Sequence, residues 1–95
     1  MPHFIVQYAF SPSSGPGRDI HRADHRAWLQ NLADQGRLHV GGAYPDGTGA
    51  MVIVEADDPD EVRACFDGDP FVAAGLVEAL SIVEWVPAMG KVGVG

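Results

Sequence analysis

The chain has a single cysteine, Cys65, among 95 residues. It can form no intrachain disulfide, which excludes a small disulfide-stapled scaffold and fits a reducing compartment. Basic residues are also scarce: six Lys and Arg stand against thirteen Asp and Glu, for a formal net charge of -7. Nucleic acid and anionic membranes bind through basic patches, so neither is expected as a partner. No apolar run approaches the roughly twenty residues of a membrane span. Met1 to Phe10 lacks a basic start and a small-residue cleavage site, so no signal peptide is expected and a cytoplasmic location is.

What remains is an ordinary globular composition, with 46% hydrophobic residues. Ninety-five residues suit one domain, 1–95, and leave no room for a second core. His3 to Ala9 is rich in aromatic and β-branched residues and reads as a strand. Ser11 to Gly17 (SPSSGPG) reads as a mobile loop. A helical pattern runs from Asp19 to Gln35, with Trp28, Leu29 and Leu32 on one face and Gly36 as its stop. Leu38 to Tyr44 and Ala50 to Ala56 read as a hairpin around the turn signal Pro45-Asp46-Gly47.

Asp58-Pro59-Asp60-Glu61 carries the marks of a helix start: an N-cap, a proline at the first position and a capping-box glutamate. Val62, Cys65 and Phe66 form its apolar face. Asp69-Pro70 repeats the cap-plus-proline signal for a short helical piece ending at Gly75. Glu78 to Val86 is the last strand, and 86–95 is expected to be a flexible tail. The order β-α-β-β-α-β predicts an α+β, ferredoxin-like fold: a four-stranded antiparallel sheet with two helices on one face.

The third strand departs from simple alternation. Val52 and Val54 point one way, and Met51 and Ile53 the other. Ile5 likewise opposes Phe4, Val6 and Tyr8. The face away from the helices therefore needs a cover, and a second copy in a two-fold homodimer is expected to supply it.

His25 falls in line with the apolar stripe of the first helix, near one end, with Arg22 one turn before it. A histidine there needs a hydrogen-bond partner, because a buried polar group without one is costly. It is either a structural residue bonded to a carbonyl or half of a functional pair. Asp69 is a routine N-cap on the bland reading. A cap uses one carboxylate oxygen, which leaves the other for a histidine. His21 and His25, four apart, make half a metal site with Asp24 or His39 beside them. No further ligand stands at a telling distance, so no metal is expected. Cys65 reads as inert packing, and Trp28 and Trp85 as core or pocket wall. Gly41-Gly42 marks a bulge or a place of close approach to the backbone.

At these residues the sequence resembles the YCII-related domain family. Arg22-Ala23-Asp24-His25 is similar to its Arg-x-x-His element. Trp28-Leu29, Leu32, Gly36-Arg37-Leu38 and Gly41-Gly42 resemble its helix-to-strand passage. Gly49 to Glu55 resembles its third strand, with Ala50 where relatives often carry a small hydroxyl residue. Asp69-Pro70-Phe71-Val72-Ala73-Ala74-Gly75-Leu76 resembles its Asp-Pro-aromatic motif. The resemblance implies a ferredoxin-like dimer with a His–Asp active-site pair, here His25 and Asp69. It also implies lyase-type dehydrochlorination of an aromatic substrate. A His–Asp pair by itself can carry acid/base chemistry of lyase or isomerase type on a small polar or aromatic metabolite, and no cofactor is expected. Arg22, Trp28, Gly42 and Phe71 are the expected substrate contacts. The alternative is a non-catalytic small-molecule-binding or assembly domain.

Overall fold

The computed structural model describes residues 1–90. Its elements are β1 (His3–Ala9), a single 3-10 turn (Pro12–Ser14), α1 (Gly15–Asp34), β2 (Leu38–Ala43), β3 (Gly49–Glu55), α2 (Pro59–Phe66), α3 (Pro70–Ala73) and β4 (Ala79–Trp85). The sheet has the order β2-β3-β1-β4 with all neighbours antiparallel. This is the expected ferredoxin-like α+β arrangement. Residues 86–90 carry no regular element, and 91–95 of the expected tail lie outside the described residues.

One stretch differs from its reading as a loop. Ser11 to Gly17 is not irregular: it holds the 3-10 turn and the first turn of α1. Proline at N1 or N2 loses only an amide that has no intrahelical acceptor there, so both prolines of the segment fit helical starts. The Ser14 hydroxyl and amide both donate to the Ser11 carbonyl, at 2.8 and 3.1 Å, and lock the turn. As a result α1 begins four residues earlier than Asp19.

The other boundaries follow their local signals. Gly36 takes φ +76° after α1, and the Arg37 amide closes onto the Leu32 carbonyl at 3.0 Å. Asp58 caps α2 by accepting from the Glu61 amide at 2.8 Å. The Glu61 side chain returns to the Asp57 amide, one residue before the cap, rather than to Asp58. In the β2–β3 turn the Thr48 hydroxyl and amide donate to Asp46 and hold its carboxyl below the ordinary value.

The core lies between the sheet and the helices. Phe4, Val6 and Tyr8 of β1 and Val52 and Val54 of β3 meet Val62 and Phe66 of α2. Trp28 and Leu29 of α1 pack against this cluster. Each fully buried side chain of this size contributes roughly 1.5–3 kcal/mol relative to exposure. Cross-strand register puts Ile5, Met51, Ile53 and Val83 on the opposite face, with Ile5 between Ile53 and Val83. Val83 is 58% exposed there.

Candidate active site

Two close approaches assemble the site. Gly17 on α1 lies against Leu76, just beyond α3; a Cβ there would come within 2.5 Å of Leu76 Cδ2. A side chain at 17 would require the end of Leu76 to shift where α1 meets the α3 segment. Gly49 lies opposite Ala9, and a Cβ on it would stand 2.1 Å from the Tyr8 carbonyl oxygen. Only glycine fits that contact without moving backbone.

Asp69 is wholly buried and holds three donors. Its Oδ1 accepts the Phe71 amide at 3.0 Å, which is the N-cap bond of α3, and also lies 2.7 Å from His25 Nδ1. Its Oδ2 accepts the Tyr8 hydroxyl at 2.5 Å. The expected division of labour, one oxygen for the cap and one for histidine, is therefore corrected. One oxygen serves both, because the cap and α1 approach the same side of the carboxylate, and Tyr8 takes the other.

A carboxylate can only accept, so the proton between the pair sits on His25 Nδ1. That tautomer leaves Nε2 with its lone pair free, and Nε2 has no hydrogen-bond partner among the described residues. The imidazole is stacked on Phe71, with centroids 3.9 Å apart and planes 5° from parallel. Tyr8 meets it edge-on at 5.9 Å. Burial first, and then the charge of Asp69, push the Tyr8 phenol far above its ordinary value, so it stays a neutral donor.

His25 opens onto a cleft of about 270 Å³, with Asp69 buried behind it. Besides His25, its walls include Tyr8, Phe10, Leu29, Ala50 and Phe71, and its rim Gly41 and Gly42 of β2. Arg18, Arg22 and Arg26 also line it. They recur every four residues along α1, so they form one ridge. Arg18 stands 4.3 Å over the Phe10 ring and donates to Ser14 Oγ at 3.0 Å. Arg22 is paired with Asp19 at 2.6 Å. Three guanidinium groups thus stand beside one cleft in an acidic chain, one of them already paired with Asp19.

The structure thus brings His25, Asp69, Arg22, Gly42 and Phe71 together. Trp28 stands apart: it meets Phe66 edge-on at 5.0 Å and belongs to the core, because its ring extends under α1 towards α2. Tyr8, Phe10, Arg18 and Arg26 were missed. The spacing of the arginines carried the signal, but reading Ser11–Gly17 as a loop left Arg18 next to the presumed helix start. The bulge in β2 falls between Leu38 and Val40, ahead of the glycine pair. Burial raises the Cys65 thiol above its ordinary value, which keeps it protonated, and it is not part of the cleft wall. No helix among the described residues is long and apolar enough to cross a membrane.

Comparison with known proteins agrees with this fold. The uncharacterized protein YjpA of Bacillus subtilis is 38% identical over 65 residues, 68% of this chain and 75% of that protein. Protein YciI of Escherichia coli O6:H1 is 38% identical over 71 residues, 64% of this chain and 72% of that protein. Among solved structures, the 5-chloro-2-hydroxyhydroquinone dehydrochlorinase of Burkholderia phenoliruptrix, in complex with 2,5-dihydroxybenzoquinone, superposes with a TM-score of 0.80. It is 30% identical, and the match covers 90% of this chain and 95% of that one. A NIPSNAP domain protein from Burkholderia xenovorans shares the fold alone, at a TM-score of 0.54 and 20% identity over 93% of this chain and 95% of that one. Residues 1–86 match the YCII-related domain, and the chain belongs to that family.

Proposed function

We propose that this protein is a lyase-type enzyme that uses His25 as general base and acid on a small, anionic or phenolic aromatic substrate. The observation that carries the reading is the His25 ring, tied through Nδ1 to a buried carboxylate and lining an open cleft. A structural histidine would be sealed on all sides. Asp69 fixes the tautomer and stabilises the imidazolium that forms when Nε2 takes a proton. Tyr8 and the Phe71 amide hold the carboxylate in place. Phe71, stacked on His25, and Phe10 across the cleft offer flat apolar walls to an aromatic ring.

Elimination of HX needs a base for the proton and a destination for the departing anion. Nε2 takes the proton, the departing anion leaves through the open cleft to solvent, and the arginine ridge attracts the anionic substrate. Such acid/base catalysis is worth about 10²–10⁴-fold in rate. The dehydrochlorinase, 30% identical over nearly the whole chain, supports this reaction class. None of these roles calls on a metal or an organic cofactor. The unit we infer is a homodimer formed through the sheet face that carries Ile5, Ile53 and Val83, in the cytoplasm, where a lone cysteine stays reduced.

The test is chloride release from a panel of chlorinated hydroxyhydroquinones, with binding of 2,5-dihydroxybenzoquinone followed in parallel. Turnover that disappears in His25→Ala is expected. Saturable binding without turnover, equal in both proteins, would replace the enzyme with a binding module.

A further inference from the structure

On the other side of the sheet a second cluster has no part in this chemistry. His3 of β1 and Glu55 of β3 are cross-strand partners on the face away from the helices. His39 belongs to β2, which pairs with β3 through Leu38 and Val54 and then slips register before Val40. A bulge re-aims a side chain. Here Leu38 stays with the core while His39 turns towards Glu55. Both imidazoles then offer Nε2 to the two oxygens of one carboxylate: His39 at 2.9 Å from Oε2 and His3 at 3.9 Å from Oε1. The rings lie side by side, 5.1 Å apart and 32° from parallel. A donor atom from each of the three residues lies within 4.8 Å of the other two.

The His3 nitrogen is the telling atom. It is buried and has no hydrogen-bond partner among the described residues. An orphaned buried donor or acceptor costs about 1–3 kcal/mol, and so it calls for a partner. The two residues facing it are a carboxylate and a second imidazole.

We infer that His3, His39 and Glu55 form a binding site for a divalent transition metal, zinc above all. Two imidazoles and a carboxylate are the donor set zinc favours, with a fourth position left to water. Bonds of about 2.0–2.1 Å in a tetrahedron put ligand atoms about 3.3 Å apart. The present donor atoms, all within 4.8 Å of one another, stand close to that spacing. A metal between His3 and Glu55 gives the orphaned nitrogen its partner and replaces a bare carboxylate–imidazole contact. The cluster sits at the margin of the sheet, at the start of β1 and the end of β3, where Glu55 and His39 remain partly exposed. In the single chain an ion can therefore enter from solvent. The site is independent of the acid/base reading, because the sheet separates it from His25.

The experiment is equilibrium dialysis of the chelator-treated full chain against Zn2+, with the visible absorption of added Co2+ as a second readout. One equivalent per chain is expected, with tetrahedral cobalt bands. His39→Ala and Glu55→Gln should each weaken binding at least tenfold, and His21→Ala should leave it unchanged. Circular dichroism establishes that the variants are folded. Absence of saturable binding overturns the site, as does binding that survives His39→Ala and Glu55→Gln or that disappears in His21→Ala. In those cases His39 and Glu55 are only a hydrogen-bonded pair.

Discussion

Tyr8 donates its hydroxyl to Asp69 Oδ2 at 2.5 Å across 61 residues of sequence, and this bond ties the middle of the sheet to the cap of α3. It occupies the one oxygen of Asp69 that neither the cap nor His25 uses. Tyr8→Phe therefore leaves a buried acceptor unmet. The expected loss of stability is about 1–3 kcal/mol, read from urea unfolding. Unchanged stability would mean that water takes over the hydroxyl's place.

The burial of Tyr8, with the charge of Asp69 beside it, predicts an alkaline limit. The folded state raises the Tyr8 phenol above its ordinary value near 10, so above that pH the unfolded chain gives up a proton that the native chain keeps. The unfolded state then binds fewer protons, and stability falls as pH rises. Difference absorbance between the wild type and Tyr8→Phe should show Tyr8 phenolate appearing only as the protein unfolds. Ionisation of Tyr8 in the native protein would contradict this.

The pair itself separates catalysis from packing. His25→Ala should abolish turnover, by about 10²-fold or more, and leave circular dichroism native. Asp69→Asn keeps an acceptor for the cap but cannot stabilise an imidazolium, so activity should fall much further than stability. Asp69→Ala removes the partner of three donors and should be severely destabilising. Full activity in both His25→Ala and Asp69→Asn would assign the pair to the core.

The arginine ridge predicts a salt-sensitive substrate. Arg26→Ala should raise KM for an anionic aromatic several-fold with kcat nearly unchanged, because the charge attracts ground and transition states alike. The wild-type KM should also rise between low and physiological ionic strength. A neutral analogue should show neither effect, and an equal loss for both would refute the electrostatic role.

Val83 tests the inferred assembly. Its side chain is 58% exposed in the single chain, so Val83→Asp costs the monomer little. In a dimer formed through that face it buries a charge. Sedimentation should show twice the chain mass for the wild type and a folded monomer for the variant. A wild-type monomer would remove the inferred interface.

Much of the fold is local in origin and could be read along the chain. Asp58-Pro59 and Asp69-Pro70 cap helices by contacts spanning two or three residues. The alternation of Phe4, Val6 and Tyr8 sets the inner face of β1 by its period of two. Even the Arg-x-x-His spacing places Arg22 and His25 on one cleft wall. Ser11–Gly17 departs from its loop pattern for a local reason as well: a proline breaks a helix inside it but opens one at its start, and only the surrounding bonds distinguish the two.

Other features are set by contacts between distant segments, which periodicity does not record. The sharing of one Asp69 oxygen between cap and histidine depends on how α1 meets α3, where Gly17 lies against the Leu76 side chain. Trp28 and His25 lie on the same stripe of α1, yet one enters the core and the other the cleft, because Phe66 and Phe71 stand at different heights along the helix. His39 reaches Glu55 through a slip of register, which no alternation pattern announces. The sequence by itself determined the elements, their order and the inner face of the sheet, since these follow from capping and periodicity within short windows. Only the tertiary structure decided which of the polar side chains would share a carboxylate, because that depends on backbone approaches between segments dozens of residues apart.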